Sequence, residues 1–191
     1  MSAIGERATG AVTPQQRKAL LDALRAILPV DAVLGDEEQL RPYECDGLSA
    51  YRQVPLAVVL PADVSQVRAV MRLCHAYRIP VVARGAGTGL SGGALPHVGG
   101  VLLSLDKLKS ILAIDPQNRS ARVQPGVRNL AISEAAAAYG LYYAPDPSSQ
   151  IACTIGGNVA ENAGGVHCLK YGLTVHNILK LDVITVVGEL I

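Results

Sequence analysis

Residues 84–93 read RGAGTGLSGG, five glycines in ten positions, directly after the apolar run Ile79-Pro80-Val81-Val82-Ala83. Two motifs overlap here: Gly87 to Gly92 fits GxGxxG, and Gly89 to Gly93 fits GxSxG. The first needs a helix that begins inside it, because a pyrophosphate rests on that helix N-terminus. Gly93-Ala94-Leu95-Pro96-His97-Val98-Gly99-Gly100 leaves no room for such a helix, so the acid Asp106 further on is a coincidence. The second motif needs its serine on a tight strand-to-helix turn. Ser91 lies seven residues past Arg84 and precedes no helix. No Lys follows the glycines, so the phosphate loop GxxxxGK[ST] is absent too.

Two readings remain, a loop whose glycines serve an anion directly and a plain structural loop with no ligand, and the magnitudes favour the first. Seven of the nineteen glycines fall between 85 and 100. Each costs roughly 0.4–1 kcal/mol against alanine through the entropy of the unfolded chain. Seven therefore cost about 3–7 kcal/mol, large beside a typical stability of ~5–15 kcal/mol. Converging backbone N–H groups return ~1.5–3 kcal/mol per hydrogen bond to a charged group. Charge agrees: from Val64 to Leu105 there is no Asp or Glu, while Arg68, Arg72, Arg78 and Arg84 are present. The reading is an anion-cradling loop.

Half of the 191 residues are apolar and 17% are charged, which describes one ordered domain or slightly more. With no Trp or Phe, the core must be aliphatic, with help from Tyr. A net charge of +1 gives no support for a nucleic-acid partner. The start, MSAIGERATGAV, carries no apolar h-region, and no apolar run reaches the ~20 residues of a membrane span. Cysteines 45, 74, 153 and 168 form no CxxC pair, which suits reduced thiols in the cytoplasm.

Thr13-Pro14-Gln15-Gln16 reads as a capped helix start, followed by Leu20, Leu21, Leu24, Ile27 and Leu28 at helical spacing. Residues 36–52 read as a connector, so residues 1–52 form an N-terminal helix and connector before the main domain, 53–191. Strand 56–60, helix 63–77 and strand 79–83 make a parallel βαβ unit. Strands follow at 101–105, 111–114 and 120–124, then a helix from 128 to 139 stopped by Gly140. A last strand is expected at 178–187, ahead of a turn at Val187-Gly188-Glu189.

Residues 144–165, APDPSSQIACTIGGNVAENAGG, are the second glycine cluster. They read as mostly irregular, with one or two helical turns over 158–163. Pro145, Asp146, Ser148, Ser149, Thr154, Gly156, Gly157, Asn158, Asn162, Gly164 and Gly165 supply small and mostly neutral polar groups. Such a wall suits a flat heterocycle with several carbonyls, since few charges must be desolvated.

Three stretches occur in one order: RGAGTGLSGGA, VQPGV at 123–127, and PDPSSQIACTIGGNVAENAGGVHCLKYGLTVHNIL at 145–179. Together with PYECDGLSAYR at 42–52, they resemble the FAD-binding domain of the vanillyl-alcohol-oxidase/PCMH flavoprotein superfamily. Within it they are most similar to the group of bacterial glycolate oxidase D subunits, D-lactate dehydrogenases and D-2-hydroxyglutarate dehydrogenases. The resemblance implies an α+β fold: a PCMH-type domain with a small parallel βαβ subdomain and a second mixed or antiparallel sheet subdomain. It implies FAD, with the pyrophosphate held by Arg84, Gly85, Ala86, Gly87, Thr88, Gly89, Leu90, Gly92 and Gly93. The stretch 145–165 would line the ribityl chain and isoalloxazine ring, and Ile184 would approach the adenine. Thr88 stands where covalent relatives can carry a histidine, so the flavin is expected to be non-covalent. The implied reaction is oxidation of a small 2-hydroxy acid by hydride transfer to FAD. The implied partners are companion flavin and iron–sulfur subunits, with peripheral attachment to the inner membrane through them.

The family's HxGDGNxH motif and GSEGTLG segment are absent from this sequence. The expectation is therefore a flavin domain incomplete at its C-terminus and lacking the substrate-binding cap, inactive alone, with no catalytic residue identified. Rival readings are a non-catalytic nucleotide-phosphate module, a metal or thiol centre on Cys153, His167, Cys168 and His176, and a fragment working only within a subunit assembly.

Overall fold

The structure, a computed structural model, describes residues 13–191. The expectation of no signal segment at residues 1–12 lies outside the described residues. Helix α1, Pro14–Ile27, opens with the expected capping box: Gln16 N donates to Thr13 Oγ1, and Thr13 N donates to Gln16 Oε1. Its apolar stripe, Leu20, Leu21 and Leu24, is buried. Strand β1, Val33–Leu34, and the short helix α2, Glu37–Leu40, follow.

Strand β2, Ala57–Val59, leads to helix α3, Val64–Ala76, capped by Asp63, and then to strand β3, Val81–Arg84. Strand β4 is Val101–Ser104. The sheet order is β1-β2-β4-β3. β2 and β3 are parallel, as expected of a βαβ unit, but each pairs with β4, which lies between them. β1 pairs antiparallel with β2 at the far edge.

β2 and β4 are buried along their whole length, because the sheet is covered on both faces. Ala57, Val59, Val101 and Leu103 meet α1 and α3 through Leu20, Leu24, Val67, Val70 and Cys74. Val58 and Leu102 point the other way, onto Leu40. Helix α1 and β1 thus share the core of the parallel strands. Cys74, 1% exposed within that core, has its thiol pKa pushed up to about 11 by burial.

The second unit is the antiparallel hairpin β5, Ile111–Asp115, and β6, Ser120–Val123. Asp115 closes its turn by accepting from Asn118 N and Nδ2. Helix α4, Asn129–Ala136, ends in a 3-10 turn stopped by Gly140 at φ +69°. Helix α5 is Ile155–Glu161, and the short α6 is Cys168–Tyr171. A smaller core of Val127, Ile132 and Ile155 joins α4 and α5 to the hairpin residues Ile111 and Val123.

Two expectations change. The helical turns expected at 158–163 begin earlier, at Ile155, so Gly156 and Gly157 lie inside the helix. Burial of Ile155 and Asn158 and the close approach of Gly156 to Pro125 outweigh the ~1 kcal/mol that a helical glycine costs. Residues 178–187 form no strand among the described residues. A single bridge, Ile184 to Leu190, closes the expected turn at Gly188, φ +75°. A strand needs a ladder partner, and this segment has only its own short return.

Candidate functional site

The glycine loop leaves the C-terminal end of β3, the end at which parallel sheets present their ligands. It is not free-standing. Arg84 Nη1 donates to the Cys45 carbonyl at 2.6 Å, and the guanidinium lies 5.8 Å from the Tyr43 ring centroid. A Cβ on Gly87, already at φ +68°, would run into that guanidinium. Buried Asp46 accepts from Leu48 N at 2.9 Å and from Ala94 N at 3.3 Å, pinning the far end of the loop. A Cβ on Gly47 would come within 2.7 Å of the Thr88 and Gly89 carbonyls. The stretch 43–48 is therefore a backing plate for the loop. In the sequence, the Asp46-Gly47 pair is the one local signal of this backing plate, whose role is set by tertiary contact.

On its other side the loop meets α5. A Cβ on Gly85 would collide with Thr154 Oγ1, and one on Gly89 would collide with the Glu161 carboxylate. Thr154, Asn158 and Glu161 are spaced 0, 4 and 7, which puts them on one helical face. Thr154 and Asn158 are 5% and 3% exposed, and Thr154 Oγ1 and Asn158 Nδ2 have no hydrogen-bond partner. Buried polar atoms without partners are rare in native proteins; Asn129 Oδ1 and Tyr143 OH share this state, and the two on the α5 face stand beside the glycine loop, where a ligand would be held.

The remaining predicted residues join this face from behind. Gly156 N donates to the Pro125 carbonyl at 2.9 Å, and Ile155 N to the Val127 carbonyl at 2.8 Å, which explains VQPGV. Asn129 Nδ2 holds the Pro145 carbonyl at 3.0 Å. Asp146 is clasped by His167, with Nδ1 to Oδ2 at 2.6 Å and the His167 N–H to Oδ1 at 3.4 Å. That ring hydrogen bond holds the Asp146 carboxyl below the usual carboxylate range. Gly165 lies so close to the Asp146 carbonyl that a Cβ would overlap it, and a Cβ on Gly164 would meet Leu173. Asn162, at φ +52°, ends α5 and accepts from Val175 N at 3.0 Å. Ser148 and Ser149 lie in the turn before Cys153, where the Ser149 carbonyl accepts from Ala152 N and Cys153 N.

Ala86 and Leu90 point outward from the loop, Leu90 being 71% exposed. Gly92 takes φ +76°, and Gly93 faces Glu161. Ile184 packs on the main core beside α3. His97, considered for phosphate contact, has its Nδ1 accepting from Gly99 N within its own turn. Cys153 is buried, and among the described residues no three His, Cys, Asp or Glu side chains converge as a metal site.

Residues 55–191 match the profile of a family described as "FAD binding domain". The chain belongs to that family. FAD is accordingly its cofactor, and the residues present fit it: the partnerless Thr154 Oγ1 and Asn158 Nδ2 lie beside a loop whose Gly85, Gly87 and Gly89 leave no room for a side chain. Over 184 residues, 96% of this chain, it is 64% identical to the glycolate oxidase subunit GlcD of Escherichia coli K12. It is 36% identical over 94% of its length to a D-lactate dehydrogenase of Anaerostipes hadrus. It spans 37% of the length of each of these relatives. Among solved structures, p-cresol methylhydroxylase with substrate bound superposes with a TM-score of 0.80 at 25% identity, over 94% of this chain and 36% of that one. The PCMH-type α+β fold implied by the sequence is the observed one.

Proposed function

We propose that this chain is the flavin-binding portion of an FAD-dependent oxidoreductase that converts a small 2-hydroxy acid to the 2-oxo acid. The observation that carries the reading is the α5 face, Thr154 Oγ1 and Asn158 Nδ2 without partners, set against the glycine loop. FAD, when bound, supplies a two-electron acceptor for the hydride from the hydroxyl-bearing carbon.

The chain's own residues bind and orient it. Amides of Gly85 to Gly93 hold the pyrophosphate, with Arg84 fixing the loop's shape from below rather than spending its charge on phosphate alone. Thr154, Gly156, Gly157 and Asn158 take up hydrogen bonds along the ribityl and ring region. Pro145, Asp146, Ser148, Ser149, Asn162, Gly164 and Gly165 complete the wall, braced by the Asp146–His167 clasp. Thr88 offers no imidazole for a covalent link, so the flavin is held non-covalently. Glycolate is the favoured substrate, by likeness to the Escherichia coli subunit.

By the same likeness we infer that this chain works as a subunit, with companion flavin and iron–sulfur subunits as partners and the cytoplasm as location. Among the described residues no helix is long and apolar enough to cross a membrane. A second reading is a non-catalytic FAD- or nucleotide-phosphate-binding module that acts only inside such an assembly. To test the function, Asn158→Leu should fill a buried polar position with an apolar group and abolish FAD retention in a folded protein. Undiminished FAD affinity in that variant would remove Asn158 from the site. Denaturation in acid should release the whole flavin into the supernatant; flavin left on the polypeptide would contradict the non-covalent reading.

A further inference from the structure

A groove of about 610 Å³ lies on the side of the sheet away from the flavin loop's backing plate, between the end of α3 and β3. Met71, Ile79 and Val81 form its apolar floor, Val186 stands on one side, and His75 and Arg78 form its lip. β3 is the edge strand of the sheet. Pro80 O and Arg84 O both accept from β4, through Val101 N and Leu105 N. By the alternation of a strand, the N–H and C=O groups of Val81 and Ala83 face outward, along the groove side. β3 pairs with β4 alone, so these groups carry no strand partner among the described residues.

Arg78 puts a positive charge at the lip. Arg72, His75 and Arg78 are exposed, and no ion pair to any of them forms among the described residues. Arg68 and Arg72 do donate to the Gly188 carbonyl, which ties the segment bearing Val186 to α3. Arg78 itself sits at φ +54° as the residue that closes α3, with Ile79 N bonded back to Cys74 O at 2.8 Å. Glycine is the relaxed choice at that position, so an arginine there keeps its charge at a backbone cost. A favourable interaction with the helix C-terminus offsets part of that cost but does not require the charge to stand at the mouth of an apolar groove.

We propose that the free edge of β3 and this groove dock an extended, acidic segment of a partner protein. The segment adds a strand to β3 through Val81 and Ala83, places apolar side chains on Met71, Ile79 and Val81, and sets carboxylates against Arg78 and His75. The groove shares no residue with the flavin loop, but β3 runs directly into that loop at Arg84.

The test uses the 191-residue chain with a fluorescein-labelled peptide of sequence PEVEVEP, and PKVKVKP as its charge-reversed counterpart, read by anisotropy. Saturable binding of the acidic peptide is expected, with the basic one roughly tenfold weaker or more. Arg78→Gly relieves the backbone and should raise thermal stability while weakening binding roughly three- to fivefold, the size of one exposed ion pair. Arg78→Glu should weaken it further. Amide exchange at Val81 and Ala83 should slow on binding. Equal binding of both peptides, no saturable binding, unchanged affinity in Arg78→Gly, or protection elsewhere than β3 would each overturn the proposal.

Discussion

Gly85→Ala is the most informative single substitution in this fold, because its effect traces to one atom. Gly85 does not adopt a positive φ, so the backbone accepts alanine. The new methyl would instead overlap Thr154 Oγ1, while Thr154 Cβ lies at 3.4 Å, an ordinary contact. Overpacking of this kind costs ~1–3 kcal/mol, less the ~0.4–1 kcal/mol gained from a stiffer unfolded chain, so a net loss of about 1–2 kcal/mol follows. Thr154→Ala removes an oxygen that has no partner and should change stability by under about 0.5 kcal/mol. Combined, the two substitutions should cost almost nothing, because the methyl then meets only the remaining Cβ. Urea unfolding of the four proteins without flavin measures this as a coupling of about 1–2 kcal/mol. In parallel, FAD affinity should fall in Gly85→Ala, where loop and α5 are pushed apart. Strict additivity, within about 0.5 kcal/mol, would refute the contact between loop and helix on which the site is built.

Other outcomes follow from the same geometry. Glu161→Gln should tighten FAD binding by roughly fivefold, since a carboxylate a few ångströms from a bound pyrophosphate costs about 1 kcal/mol in a solvated setting; weaker binding would mean that Glu161 contacts the ligand favourably. Asp46→Ala leaves two amides without their acceptor and should lose ~1–3 kcal/mol of stability along with flavin, whereas a silent substitution would dissolve the backing plate. The half-exposed thiols of Cys45 and Cys168 should react with a maleimide in the native state, while Cys74 and Cys153 stay protected until unfolding, as mass spectrometry can show. Cys74 also fixes a pH dependence. Its folded pKa lies above its unfolded value, so its contribution is complete below about pH 9 and is lost as pH rises toward 11. Wild type should therefore lose stability relative to Cys74→Val across that interval, and parallel curves would show that burial does not perturb the thiol.

Much of this fold is written in local chemistry. The capping box at Thr13–Gln16 and the apolar stripe of α1 depend on neighbours in sequence and form where expected, and the helix after β2 lies over the expected stretch. What local pattern cannot carry is which strands meet. β4 slots between β2 and β3 through hydrogen bonds across more than 15 residues, and two-residue β1 is too short to show an alternation. The glycines of α5 look like breakers until one sees that Pro125 requires Gly156 to lack a side chain. Residues 178–187 are apolar enough for a strand, but a strand is a property of a pair. In the site, the glycine loop and α5 were legible as separate clusters; their contact through Gly85 and Thr154, and the anchoring of the loop by Asp46, are tertiary facts.

The central claim is that loop 84–93 and the α5 face together bind FAD, with the pyrophosphate in the loop. Titrating the 191-residue chain against FAD, FMN and riboflavin under flavin fluorescence tests it most directly. The account predicts saturable binding of about one FAD per chain, with FMN and riboflavin, which lack the pyrophosphate, bound much more weakly. Equal affinity for all three, or no binding by a chain shown to be folded by circular dichroism, would contradict it.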